Sequence, residues 1–351
     1  MKPISHADMA EATRLTRQGR LSEATTLIQQ ILSGTKSPHV TPESRANARL
    51  TTAEEVVCVP RRSPGPHGAF TAHAYRGAAG SRDYKLYVPS GYRGKPCPLI
   101  VMLHGCAQSV DDFAGGTGMN AVADENGCLV AYPIQSNAAN QSKCWNWFNP
   151  RDQQRDGGEP ALIVGIVQQI ARDHAVDVRR VYVAGLSAGG AMAAVVGACY
   201  PDVFAAIGVH SGVACGAAHD PMSALAAMRG QGAQTGTVNA RSDGRRDVPT
   251  IVFHGDRDGT VHPSNADRIV ETMQASRLQS SVERSRIPGG RAYTREVYRD
   301  DRGRVLLERW TVQGADHAWS GGRKPHSFTD PAGPDASQAM MRFFLTHQRE
   351  G

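Results

Sequence analysis

Ser187 stands at the centre of Gly185-Leu186-Ser187-Ala188-Gly189, a Gly-x-Ser-x-Gly pentapeptide. The β-branched and aromatic run Val181-Tyr182-Val183 precedes it, and small residues over 188–200 follow. Strand, tight turn and helix in that order lift a serine clear of a sheet as a nucleophile. Gly185 and Gly189 remove the Cβ atoms that would collide where strand and helix cross so closely. A chance pentapeptide in a chain rich in Gly and Ala is the bland alternative, and the flanking pattern argues against it. A serine hydroxyl is a poor nucleophile at neutral pH, so it needs a base, and the base needs an orienting carboxylate.

Behind such an elbow the partners come in the order acid then histidine, each on a loop after a strand. Asp258 follows the apolar run Ile251-Val252-Phe253-His254, and His317 follows the strand-like run 305–312. Asp256 is the runner-up acid, but its place nearer the strand end suits a turn cap. His104, His254 and His262 compete for the role of base, and none of them follows the last strand. Acyl transfer also needs two N–H groups aimed at the developing oxyanion. Ala188, directly after the serine at a helix N-terminus, supplies one. Cys106, after Leu103-His104-Gly105, supplies the other; as a second nucleophile it would lack a paired base.

Trp145, Trp147 and Trp319 are three of only four tryptophans and are candidates to bind substrate, with core packing as the alternative for each. Trp319, two residues past His317, is the foremost of them as the wall of an acyl or aromatic pocket. Gly115-Gly116-Thr117-Gly118 lacks the spacing and the preceding strand of a phosphate-binding loop and is set aside. The seven cysteines include no Cys-x-x-Cys pair, so zinc-type spacing is absent; neither a metal nor an organic cofactor is expected.

The elements that must hold these residues alternate in type. Strands are predicted over 69–75, 84–88, 99–103, 129–132, 181–184, 206–210, 251–254, 292–298 and 305–312. Helices are predicted over 112–126, 159–174, 188–200, from near 264, and over 335–347. Alternation of this kind implies a mostly parallel sheet with helices on both faces. Residues 211–247 read as loop, rich in Gly, Ala and Ser. Ahead of this catalytic domain (68–351), residues 1–34 show one apolar stripe at helical spacing, a small helical appendage. Residues 35–67, without periodicity, read as a linker.

The formal charge of +6 is spread among many arginines and reads as a solvated basic surface rather than a nucleic-acid footprint. No apolar run is long enough for a membrane span. Met1 to Asp8 offers no apolar core segment and no small-residue cleavage site, so no secretory signal is read and a cytoplasmic location is expected. Seven cysteines point the other way, toward an extracellular setting.

Four ordered motifs together carry a resemblance. Leu103-His104-Gly105-Cys106-Ala107-Gln108, Cys144-Trp145-Asn146-Trp147-Phe148, Gly185-Leu186-Ser187-Ala188-Gly189-Gly190-Ala191-Met192 and His317-Ala318-Trp319 resemble the polyhydroxybutyrate depolymerase family of esterases. The resemblance covers roughly residues 68–347. It implies an α/β-hydrolase fold, ester hydrolysis by Ser187, Asp258 and His317, and kinship with feruloyl and acetyl-xylan esterases. It also implies a disulfide between Cys106 and Cys144. Cys97 and Cys128, just before two strands expected to be neighbours, are a further candidate pair. Poly- or oligo-(3-hydroxyalkanoate) is the first expected substrate, feruloyl or acetyl esters of plant polysaccharide the second, and a peptidase on the same fold the third. A non-catalytic binding protein on a hydrolase scaffold is the rival from another class; such proteins usually lose a triad member, and here all three are present.

Overall fold

The computed structural model describes residues 68–231, 248–273 and 275–350. The expected N-terminal helical segment (1–34) and linker (35–67) lie outside the described residues. Twelve strands are described: β1 (Ala69–Gly77), β2 (Gly80–Val88), β3 (Cys97–Leu103), β4 (Leu129–Pro133), β5 (Val176–Leu186), β6 (Ala206–His210), β7 (Thr250–Gly255), β8 (Gln279–Arg286), β9 (Ala292–Arg299), β10 (Val305–Val312), β11 (Trp319–Ser320) and β12 (Thr329–Asp330). The α-helices among the described residues are α1 (Val110–Thr117), α2 (Met119–Asn126), α3 (Gly158–Asp173), α4 (Ala188–Cys199), α5 (Pro221–Met228), α6 (Ser264–Thr272) and α7 (Ala336–Leu345).

Ten strands form one sheet in the order β1-β2-β4-β3-β5-β6-β7-β10-β9-β8. From β4 through β10 the neighbours run parallel, while β1, β2, β9 and β8 add antiparallel edges. Strand β3 shows why the centre is parallel. All seven of its residues are buried, as expected of a strand covered on both faces. Its side chains alternate between two layers. Leu99, Val101 and Leu103 enter one core with Ile163 and Ile166 of α3 and Val195 of α4. Ile100 and Met102 enter the other with Phe113 of α1 and Met340 and Phe344 of α7.

The structure departs from the sequence reading in several places. The helix expected over 112–126 starts at Val110, where Ser109 Oγ accepts the Asp112 N–H (3.1 Å), and is broken by Gly118 at φ 64°. Within the stretch read as loop, Asp220 and Ser223 form a reciprocal capping box that opens α5. Strand β8 was not predicted because it pairs with β9 alone at the sheet edge and every one of its residues is exposed, leaving no apolar period to read.

Cys97 and Cys128 do not pair. Strands β3 and β4 are neighbours, as expected, but Cys97 falls in one layer of the core and Cys128 in the other. Cys97 Sγ lies 3.6 Å from the Ala175 carbonyl, and Cys128 Sγ lies 3.8 Å from Met341 Sδ. Among the described residues no helix is long and apolar enough to cross a membrane.

Candidate active site

Strands β5, β6, β7 and β10 lie side by side and parallel, so the loops after them open on one edge of the sheet. Ser187 follows β5 with φ 58° and ψ −121°, a backbone that a residue with a side chain rarely adopts. Crowding enforces it. A Cβ on Gly185 would stand 2.3 Å from the Gly189 carbonyl carbon, and one on Gly189 would stand 2.0 Å from the Leu103 oxygen. Only glycines let β5, the turn and α4 close up so far, and the turn then presents Ser187 half-buried at the sheet edge.

Asp258 and His317 meet. His317 Nδ1 lies 2.8 Å from Asp258 Oδ2. Asp258 is buried, and its Oδ1 accepts the N–H groups of Thr260 (2.9 Å) and Val261 (2.8 Å). Burial alone would raise its pKa, but the hydrogen bond from His317, and the charge that His317 and His254 carry when protonated, hold it below the ordinary carboxylate value. With Nδ1–H given to the carboxylate, Nε2 of His317 keeps its lone pair for a proton.

Several contacts hold the Asp258 and His317 loops together. Asp256 N–H donates to Val312 O (3.1 Å) and Arg257 N–H to Ala315 O (3.0 Å). Asp316 Oδ1 accepts from His317 N–H (2.8 Å) and Gly259 N–H (3.3 Å). Asp256 Oδ1 accepts the Gly314 N–H (2.6 Å), so this residue acts as a loop tie. His210 was not singled out by sequence. Its carbonyl accepts the Ser187 N–H (2.9 Å), and its Nε2 accepts the Ser320 N–H (2.9 Å). It therefore ties the elbow to the loop that carries His317.

Among the competing bases, His254 is buried with Nε2 2.8 Å from Val261 O and 3.5 Å from Asp258 Oδ2. His104 is buried with Nδ1 2.8 Å from Gly105 O, while its Nε2 accepts the Gln135 N–H (3.2 Å). His262 lies at the surface, with Nδ1 2.9 Å from Ser264 Oγ.

The turn after β3 comes close to the serine: a Cβ on Gly105 would stand 3.6 Å from Ser187 Cβ. Gly105 N–H donates to Gln108 Oε1 (2.9 Å) and Ala107 N–H to Ser142 O (2.8 Å). Among the described residues this leaves the Cys106 N–H as the donor of the turn without a protein acceptor. Ala188 opens α4, where the helix N-terminus favours negative charge.

A disulfide joins Cys106 to Cys144, as the family resemblance implied. It ties the turn to the 144–148 loop, which a buried carboxylate holds from behind. Glu159 accepts from Asn146 N–H (2.7 Å) and Nδ2 (2.9 Å) and from Gln135 Nε2. Disulfides persist in oxidising compartments, so this one favours an extracellular setting and gives the cytoplasmic expectation no support.

All three predicted substrate-binding tryptophans lie in the core instead. Trp145 is fully buried and donates Nε1–H to His104 O (3.1 Å), bracing the end of β3. Trp319 is 1% exposed, stacks on His210 (5.0 Å between centroids) and donates Nε1–H to Ser337 Oγ (3.1 Å). Burial leaves neither a face to offer a substrate. Trp147 is also buried, packed edge-on against Phe148 (5.6 Å).

The buried imidazoles set an acid limit on the fold. Desolvation pushes His104 down to about 4, His210 down to about 3, and His254 below its ordinary 6.5. Groups whose pKa falls on folding contribute stability that is present above 6.5 and lost as pH falls through the folded values. Glu159 acts in the opposite sense. Burial raises it from 4.5 to about 7, so its contribution is present below 4.5 and lost as pH rises toward 7. Two histidine shifts of this size, with His254 adding to them, outweigh one glutamate. The thermal midpoint, followed by circular dichroism, is expected to fall between pH 6.5 and 4. A midpoint that stays level or rises there contradicts the assignment.

Comparison with known proteins identifies the family and the fold. The family model described as "Esterase PHB depolymerase" matches residues 82–296. Poly(3-hydroxyalkanoate) depolymerase C of Paucimonas lemoignei is 34% identical over 239 residues, which span 66% of this chain and 57% of that protein. The match thus covers less than two thirds of that relative's length. Feruloyl esterase B of Thermothelomyces thermophilus is 32% identical over 247 residues, 66% of this chain and 82% of that protein. Among solved structures, an acetyl xylan esterase from Aspergillus awamori superposes with a TM-score of 0.61 at 19% identity, covering 79% of this chain and 99% of that one. That likeness shows the α/β-hydrolase fold. A family match over more than half of the chain, on the segment that carries Ser187 and Asp258, makes this protein a member of the PHB depolymerase family of esterases.

Proposed function

We propose that the protein is a serine esterase that hydrolyses poly- or oligo-(3-hydroxyalkanoate) esters, such as polyhydroxybutyrate, outside the cytoplasm. The observation that carries this reading is the 2.8 Å hydrogen bond between His317 Nδ1 and Asp258 Oδ2 on the sheet edge that presents Ser187. In this mechanism Ser187 Oγ attacks the ester carbonyl carbon while His317 Nε2 takes its proton. The N–H groups of Ala188 and Cys106 hold the oxyanion. His317 then gives the proton to the leaving alcohol oxygen, and Asp258 stabilises the imidazolium meanwhile. Water, activated by the same imidazole, hydrolyses the acyl-enzyme to the acid and frees Ser187.

A second reading, hydrolysis of feruloyl or acetyl esters of plant polysaccharide, is supported by the larger share of the feruloyl esterase that this chain spans. Initial rates on a 3-hydroxybutyrate trimer, amorphous polymer, methyl ferulate and acetylated xylan separate the two. The trimer or polymer is expected to show the highest kcat/KM. Preference for methyl ferulate or acetylated xylan would move the protein to plant-wall esters, and no turnover of any ester would overturn both readings.

A further inference from the structure

Among the described residues, Phe328 is the aromatic one of five large apolar side chains that stand out in solvent. It is 47% exposed, and its ring lies edge-on to that of His317, with centroids 6.3 Å apart and planes at 80°. Its φ is 50°, a conformation that a bulky side chain holds only where its surroundings over-determine it.

Those surroundings bind the segment at both ends. On one side, Trp319 N–H donates to Phe328 O (2.7 Å), and β12 begins at the next residue, paired with β11. On the other, Ser327 N–H donates to Asp112 Oδ1 (3.1 Å), Ser327 Oγ hydrogen-bonds Asp112 Oδ2, and Arg323 N–H donates to Gly116 O (2.8 Å). Gln108 Nε2 reaches Ser327 Oγ (3.2 Å), and the Oε1 of the same side chain holds the Gly105 N–H. The run Gly115-Gly116-Thr117-Gly118, set aside as a phosphate loop, has its use here. A Cβ on Gly115 would stand 2.4 Å from the His326 ring, so the glycine is the seat on which this segment docks. Trp319, first considered a substrate contact, instead helps to fix the residue that faces outward.

An exposed aromatic in a strained backbone conformation adds little packing, so the fold alone gives no reason for it. Its place beside the base supplies one, on the serine-esterase reading above. His317 hands its proton to the leaving oxygen, so the alcohol portion of the ester sits beside the imidazole. The acyl chain extends instead from the carbon bonded to Ser187. We infer that Phe328 contacts the alcohol portion of the substrate and sets a preference for esters with an apolar branched or aromatic group next to the ester oxygen.

The test uses two ester series. One holds the butyryl group and varies the alcohol through methyl, isopropyl and benzyl; the other holds methanol and varies the acyl group through acetyl, butyryl and hexanoyl. Phe328→Ala, and Phe328→Gly, which tolerates the positive φ, are expected to lose about tenfold in kcat/KM on the isopropyl and benzyl esters while staying within about twofold on methyl butyrate. Phe328→Tyr keeps the ring and should retain the wild-type profile, and benzyl alcohol should inhibit the two truncated variants more weakly. Equal loss along the alcohol series, or a change that follows acyl length, overturns the inference. Turnover lost in Ser187→Ala, together with an unchanged alcohol profile in both truncations, overturns the inference alone. Turnover that survives Ser187→Ala overturns the serine-esterase reading and the inference with it.

Discussion

Replacing Ser187 by alanine is expected to abolish ester hydrolysis and leave the protein folded. The substitution removes one oxygen and keeps the Cβ, so the crowding of Gly185, Gly189 and Leu103 that forces φ 58° is unchanged. The hydrogen bonds from Ser187 N–H to His210 O and from Ala191 N–H to Ser187 O use backbone atoms only and survive. The thermal midpoint should therefore stay close to that of the wild type. Activity should not: loss of the nucleophile in a serine triad lowers kcat on the order of 10⁴-fold or more, the residue of catalysis coming from the oxyanion donors and binding. Labelling by a fluorophosphonate probe reports the same event without a substrate. A folded Ser187→Ala that still labels, or still turns over ester, would show that the elbow is misread. An unlabelled wild type would favour a binding protein on a hydrolase scaffold.

Asp258→Asn should be nearly as damaging, for a reason visible in the hydrogen bonds. Oδ1 accepts two backbone N–H groups, from Thr260 and Val261. An asparagine must keep its oxygen there, which turns its NH₂ toward His317 Nδ1, now 2.8 Å from Oδ2. The NH₂ donates, so Nδ1 must accept, and the imidazole proton moves to Nε2. The base then has no lone pair facing the serine. Inversion of the tautomer in this way costs on the order of 10³–10⁴-fold in kcat. The same NH₂ also sits beside His254 Nε2, which already gives its proton to Val261 O, so no rearrangement on that side relieves it. Asp256→Asn is the control. Its oxygen caps the Gly314 N–H, a bond that asparagine reproduces, and kcat should stay within a few-fold. Comparable losses in both variants would remove Asp258 from the role of orienting acid.

What the sequence determined by itself is mostly local. The elbow was legible because strand, Gly-x-Ser-x-Gly and small-residue helix are contiguous, and the clash that excludes larger side chains involves residues only a few positions apart or on the adjacent strand β3. The central strands were legible because full burial leaves a continuous apolar run, as in Leu99 to Leu103. The places of Asp258 and His317 followed from strand order alone, since a parallel sheet delivers every following loop to the same edge.

Tertiary structure decided the rest. Trp145 and Trp319 have the composition of pocket walls, but layers contributed by distant segments bury them; residue type does not encode which side of a loop faces solvent. Cys97 begins β3 and Cys128 directly precedes its neighbour β4, and the two still fall in opposite layers, a consequence of register and not of sequence spacing. Strand β8 carries no apolar period because an exposed sheet edge demands none. His210, Asp316 and Phe328 gave no signal. Each acts through a partner far along the chain or brought to it by a turn: Ser320 for His210, Gly259 for Asp316, Asp112 for the segment that carries Phe328. Local chemistry can be read residue by residue, whereas burial and long-range hydrogen bonding exist only once the sheet has brought its loops together.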